Sequence, residues 1–279
     1  MPHLPLNGQE EIRWFSLRRL FTGDHLKGRL VITLRVYLDE SEGDTAFVAS
    51  GWACRAERWD DISAAWQKAL DSDPAIPYFK LHDAMALEGP FAGWSEKKRD
   101  AKVIRLAQSL PHEDRFFGTG CHVARSDFAA IKNRMRQIYA SPYYFCVATA
   151  MIYAADPNST AQIVGVDKID FVLDRSNAAM RMCRLFYAEI KPLFPRLGEC
   201  IHLDDKETPA LQAADLNVGL VRQQYEPNGR TLPGAYALNG IFSGPLELNP
   251  KVLEHIITLP LFKRFPQNRA ITASSPTAP

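Results

Sequence analysis

Apolar residues fall into strand-like and helix-like rhythms along the chain. VITLRVYLDE, beginning at Val31, is dense in β-branched and aromatic residues and predicts a buried strand that ends at Asp39. The turn-forming SEGD follows, and TAFVASGWACR predicts a second strand. The two make a hairpin with Asp39, Glu40 and Ser41 at its mouth. Ala56 to Leu70 predicts a helix with Ile62, Ala65, Trp66 and Ala69 on one face, ended by DSDPAIP. YFKLHDAMALEG predicts a short extended piece carrying His82 and Asp83, then a helical turn. Ser95 to Leu110 predicts a further helix with Ser95 as N-cap, and RFFGTGCHVA a third strand.

Asp127 to Tyr139 predicts a basic helix, and YYFCVATAMIYAAD one that is apolar almost all round and therefore buried. VDKIDFVLD, AAMRMCRLFYAEI, CIHLD and PALQAADLNVGLVRQQY then alternate strand, helix, strand, helix, with Pro209 suited to the first turn of the last. Such alternation predicts a parallel portion of the sheet after the antiparallel opening. The expected organisation is an N-terminal extension over 1–30 and one domain over 31–265 with a helical insertion around 56–110. A disordered tail is expected over 266–279.

Composition narrows the class. The chain has 279 residues, 46% hydrophobic and 23% charged, which suits a globular α/β protein with a substantial core. Net charge is +1, so no global field draws the chain to a polyanion. Local basic residues do occur: Lys132, Arg134 and Arg136 on one predicted helix, and Arg175, Arg181 and Arg184 after Asp174. They suit either phosphate contacts or a solvated face balanced by acids. Five scattered cysteines without a C-x-x-C pair fit free thiols in a reducing compartment. No secretory h-region and no membrane-length apolar run occurs, so a cytoplasmic, non-membrane protein is expected.

Three remote acids carry the candidate chemistry. Asp39 and Asp174 each end an apolar strand run, and Asp215 lies inside the apolar helix run PALQAADLNVGLV. Strand ends of this kind meet at one sheet edge, and convergent carboxylates suit hard divalent cations such as Mg2+ or Mn2+. Local roles account for two of them as well. Asp39 suits a turn, and Asp174 suits an N-cap. Asp215 inside an apolar helix needs a partner or a metal. Glu40 neighbours Asp39 and shares an ion with it only where strand alternation breaks down. His82 is either structural or a proton shuttle, and Gln212 either binds a ligand or lies on a helix surface.

YLDES, FKLHDAMALEGPFAGWSEKKR, FVLDRS and LQAADL, in this order, resemble the motifs of the domain of unknown function 3800 family over roughly Val31 to Gln224. The resemblance implies a ribonuclease H-like mixed sheet, with three antiparallel strands before two parallel additions, and a metal-dependent nuclease acting on DNA or RNA. It maps the family's acids onto Asp39, Asp174 and Asp215, with Asp39 bridging two ions about 4 Å apart. Two departures stand out. Glu42 separates Ser41 from Gly43, and the helix YYFCVATAMIYAA lacks the glutamate of a typical ribonuclease H site. Glu40, Asp83, Asp204 and Asp205 are the substitutes for a fourth ligand. The missing glutamate motivates an alternative, a non-catalytic nucleic-acid or protein-binding module of a larger assembly. The near-neutral charge motivates a third, a phosphoesterase acting on small substrates.

Overall fold

Ten residues of the first strand, β1 (Thr33–Glu42), form the axis of the molecule. The computed structural model describes residues 32–112, 116–136, 139–155, 166–175, 177–226, 246–259 and 261–262. The expected N-terminal extension and C-terminal tail lie outside them. The remaining elements are β2 (Ala46–Arg55), α1 (Trp59–Asp71), α2 (Leu81–Ala86), α3 (Glu96–Gln108), β3 (Phe117–Ala124), α4 (Arg125–Ile131), α5 (Pro142–Ala155), β4 (Lys168–Asp174), α6 (Asn177–Ile190), β5 (Leu197–Leu203), α7 (Pro209–Gln224), β6 (Leu246–Glu247) and α8 (Pro250–Thr258).

The strands build one mixed sheet in the order β5-β4-β1-β2-β3-β6. β1, β2 and β3 are antiparallel neighbours, while β4 runs parallel to β1 and β5 parallel to β4. The antiparallel opening and parallel continuation match the expectation from the hydrophobic pattern. β6 pairs with β3 over two residues, too short a span for a periodic signal.

Alternation along β1 divides its side chains between two cores. Leu34, Val36 and Leu38 pack with Phe145, Met151, Phe186 and Leu253, the inward faces of α5, α6 and α8. Tyr37 packs the other way, among Trp52, Trp59, Trp66, Phe79 and Leu216. The segment expected as a helical insertion therefore closes the second face together with α7. Gly51 permits the close approach of β2 to β1, because a Cβ there would meet the Tyr37 carbonyl oxygen at 1.8 Å.

Buried polar groups fix how the helices sit. Trp59 donates its indole N–H to the Arg35 carbonyl at 3.0 Å, and Trp52 donates to Ala213 on α7 at 2.9 Å. Lys102 on α3 donates to the carbonyls of Ala69, Leu70 and Ser72 at 2.6–2.8 Å, which caps the end of α1 with a cation. Asn217 is fully buried. Its amide donates to Gly51 at 3.1 Å and its oxygen accepts the Ser50 hydroxyl at 2.8 Å, so α7 is tied to the middle of β2.

Three expectations need correction. β1 does not end at Asp39 but continues to Glu42, pairing Asp39 with Ser50 and Glu42 with Phe47. The turn is Gly43–Thr45, closed by the Gly43 amide on the Ala46 carbonyl at 2.9 Å, so Asp39 lies inside the ladder and not at the mouth. His82 and Asp83 lie in α2 and not on an extended piece, because the chain turns helical at Leu81. The basic helix expected to reach Tyr139 ends at Ile131 and is followed by one tight turn, Lys132–Arg134.

Replacing Asn217 by leucine keeps the bulk but leaves the Gly51 carbonyl without its partner. Urea unfolding should show a loss of about 1–3 kcal/mol with an unchanged m-value.

Candidate functional site

The candidate acids gather where β1 and β4 part. Their parallel pairing runs to Leu38 opposite Leu173, so Asp39 and Asp174 are the next residues on neighbouring strands. Strand alternation turns Asp39 toward the face covered by α7. α7 packs across β1 and β2 and brings Asp215 to the same place. Asp39 also accepts the Glu40 amide at 2.9 Å, a local bond of the kind a turn acid makes.

Two side chains on one face of α7 hold the segment that precedes α2. Gln212 accepts the Trp66 indole N–H at 3.2 Å and the Phe79 amide at 3.0 Å. Its own amide donates to the carbonyls of Asp205 and Lys206, each at 3.0 Å. Gln212 is thus a saturated, buried clamp, neither a free ligand nor a surface residue as expected. Asp215, one turn on, accepts the Leu81 amide at 2.7 Å. With the amides of residues 79 and 81 held on α7, the side chain between them, Lys80, reaches Asp205 at 2.5 Å.

The electrostatics tie these groups into one cluster. Burial, then the Glu40 and Asp215 carboxylates, push Asp39 well above the usual carboxylate range. Glu40 is also raised, by burial first and then by Asp174 and Asp215, against a lowering contact with Asp39. Its side chain reaches solvent, so the protein around it acts through crowding and not full enclosure. Asp174 is raised by burial and by Asp205, with Lys80 opposing. Asp215 is pushed up to about 6 by burial, while the Leu81 amide and Lys80 pull it down. Burial lowers Lys80, but its bond to Asp205 and the charges of Asp205, Asp174 and Asp215 outweigh that and leave it raised.

Glu40 resolves the alternation problem in an unexpected way. Its strand position faces α5 and α6, where its charge raises the phenols of Tyr143 and Tyr144, after the larger effect of burial. Yet it also couples to Asp39, Asp174 and Asp215, because β4 ends beside it and leaves the edge open. His82 is exposed on the first turn of α2, next to the Leu81 amide that holds Asp215. Asp83 accepts the Tyr78 hydroxyl at 3.4 Å and adds to the negative field at Asp215. Asp204 caps the short turn Asp205–Glu207 through the Lys206 amide at 3.0 Å.

Sequence reasoning missed Lys80. Phe79 and Leu81 are buried, so alternation sends Lys80 to the opposite side, toward the acids, but the FKL pattern alone does not distinguish this from an ordinary exposed position. Of the basic residues, Arg134 pairs with Glu254 at 2.5 Å and Arg136 with Glu189 at 2.5 Å. For these two the balanced surface holds. The side chain of Arg181 lies outside the described residues. The cysteines are free, and all but Cys200 are fully buried.

The donor chemistry suits a hard cation, since the cluster offers carboxylate oxygens and few competing nitrogens. Among the described residues, no three acidic, histidine or cysteine side chains stand in a ready metal-holding arrangement. No helix among them is long and apolar enough to cross a membrane. No protein-family model matches this chain, and no curated protein matches it either.

Raised carboxylates have a defined consequence for stability. The native state holds protons that the unfolded chain, with ordinary values near about 4, has already released. Stability therefore falls as pH rises from about 4 through about 6 and stays low above. For Asp215 alone, moved from 3.8 to about 6, this amounts to about 3 kcal/mol. In chelator, thermal unfolding should show a higher Tm at pH 5 than at pH 7. Asp215→Asn should flatten that slope and raise the Tm at pH 7.

Proposed function

We propose that this chain is a ribonuclease H-like, metal-dependent nuclease that hydrolyses phosphodiester bonds, with Asp39, Glu40, Asp174 and Asp215 as the acids of its site. The observation that carries the reading is electrostatic. Carboxylates from two strands and one helix crowd one sheet edge, are each raised first by burial and then by neighbouring acids, and have Lys80 among them. Such a cluster binds protons or a cation, and hard oxygen donors select Mg2+ or Mn2+. The strand order β3-β2-β1-β4-β5, antiparallel and then parallel, supports the ribonuclease H-like assignment. The motif resemblance to the domain of unknown function 3800 family supports it independently.

Within this reading Asp39, Asp174 and Asp215 hold the metal. Glu40, projecting from β1 toward α5, supplies the carboxylate that the α5 sequence lacks. A divalent ion bound there supplies charge neutralisation at the phosphate and a more acidic bound water. Lys80 neutralises Asp205 and keeps it from competing as a ligand. Gln212 and Asp215 fix the backbone on both sides of Lys80, so its ammonium is positioned and not merely nearby. His82, exposed and next to the Leu81 amide that holds Asp215, is the candidate to pass a proton to the departing oxygen.

The test is cleavage of labelled single-stranded DNA, duplex DNA, RNA and RNA–DNA hybrid with Mg2+ and with Mn2+. Asp39→Asn and Asp215→Asn should each lower the rate by about a thousandfold or more, with an unchanged circular dichroism spectrum. His82→Ala should cost about a hundredfold in kcat with little change in KM. Cleavage that persists in chelator would remove the metal from the mechanism. Tight nucleic-acid binding with neither metal uptake nor cleavage would favour a non-catalytic binding module.

A further inference from the structure

We propose that the Lys80 ammonium stands where a second divalent ion would, so that the site takes one ion and Lys80 meets the scissile phosphate beside it. The inference rests on the nuclease reading and deepens it, replacing the pair of ions that the motif resemblance implies. Lys80 is fixed on both sides. The Phe79 amide donates to Gln212 at 3.0 Å and the Leu81 amide to Asp215 at 2.7 Å, so the backbone of Lys80 lies against the face of α7 that carries both acceptors. Its ammonium reaches Asp205 at 2.5 Å.

Asp205 has the place that a ligand of a second ion needs. Asp174 is opposite Leu203 in the β4–β5 ladder, and Asp205 follows Leu203 by two residues. The Asp205 carbonyl accepts the Gln212 side-chain amide at 3.0 Å, which draws the turn after β5 onto α7. Asp205 thus comes between the end of β4 and the helix that carries Asp215, as an acid additional to Asp39, Asp174 and Asp215. Lys80 already holds that acid.

A lysine can do what the second ion does. Paired divalent ions stabilise the attacking and departing oxygens of an in-line displacement at phosphorus. A positive charge anchored by a carboxylate fills one of those two roles when it has donors to spare and an open side. Lys80 has both. An ammonium carries three N–H donors, and Asp205 is the one carboxylate paired with it among the described residues. The Lys80 side chain is 34% exposed and that of Asp205 17%, so the cation, more than its acid, faces the solvent from which a substrate arrives. A dication at Asp205 has to displace the ammonium or sit beside it, and two cations on one carboxylate repel. Lys80 takes part as a charge: it keeps its protons, and no bond to it forms or breaks.

The experiment is isothermal titration calorimetry of Mn2+ into the full chain without substrate. The native chain should take up one ion, and so should Lys80→Arg, which keeps the charge. Lys80→Gln releases Asp205 and should take up two, while Lys80→Gln/Asp205→Asn should return to one. Lys80→Met, which keeps the aliphatic stem, repeats the count should the glutamine variant lose its circular dichroism spectrum. A lysine that only tethers the turn after β5 leaves all these counts equal, and that result overturns the proposal. On labelled single-stranded DNA and RNA, Lys80→Gln should lower kcat by about a hundredfold at the Mn2+ concentration that fills the first site, and should regain activity as the second fills. Native cleavage with two ions bound overturns the role of Lys80 and leaves the nuclease reading standing. The expected counts with no cleavage of DNA or RNA refute the nuclease reading and leave the one-ion site standing. No uptake by the native chain overturns both.

Discussion

Helix α7 is held to the sheet by polar side chains that have no business in an apolar interface unless every one of them is satisfied. Gln212 and Asn217 are almost wholly buried, and Asp215 is largely so. An unsatisfied amide in that position would cost as much as several buried methylene groups gain. Each amide instead has partners on other elements: Gln212 on the approach to α2 and on the turn after β5, Asn217 on β2. These bonds work only at one rotation and one axial position of α7. The helix is therefore specified by polar geometry, with the hydrophobic contacts of Leu211 and Leu216 supplying the attraction but not the register.

The site inherits that specification. Asp215 is on the same helix face as Gln212, so fixing the glutamine fixes the acid. The Leu81 amide then meets Asp215, and Lys80 is left pointing into the field of Asp205, Asp174 and Asp215. On the sheet side, the end of β1–β4 pairing at Leu38 and Leu173 does the complementary work. A ladder continued past that point would send Asp39 and Glu40 to opposite faces with backbone between them. The parting of the strands opens a gap through which both carboxylates interact. Crowding acids in this way destabilises the fold by itself, a cost that the packing on both sheet faces offsets.

Much of the scaffold was legible in the sequence because each long element buries one complete face. β-branched and aromatic density marked β1 through β5, and Pro209 and Ser95 marked helix starts by mechanisms that are local. What was not legible depended on partners remote in the chain. The extension of β1 to Glu42 arises from pairing with Phe47 and Val48, and the polar ESE stretch gives no hydrophobic signal for it. The helical turn at His82 follows from the Leu81 amide finding Asp215, 134 positions away. Gln212 reads as a surface residue because its four partners come from three separate places in the sequence. Among the candidate residues, Asp39, Asp174 and Asp215 could be named from their apolar flanks, whereas Lys80 could not, since a lysine between two buried residues is also what any exposed strand position looks like.

Charge is distributed across the β4–β5 edge in a way that burial alone does not require. On the α7 side of Asp174 lie carboxylates with one lysine; on the α6 side Glu40 is the acid among the described residues, and the exposed Arg175 and Arg184 form no ion pair among them. A surface evolved only for solubility intersperses its signs, as the pairs Arg134–Glu254 and Lys191–Glu199 do elsewhere on this molecule. This uneven placement sets up a local dipole across the end of β4. A neutral small molecule gains little from such a field, and a simple anion is repelled by half of it. Under the proposed function, a phosphate chain accompanied by a divalent cation would suit such a field, the cation going to the carboxylates. The near-zero net charge of the chain does not decide the matter, because screening over a Debye length of about 8–10 Å makes the charges nearest the site dominate its field.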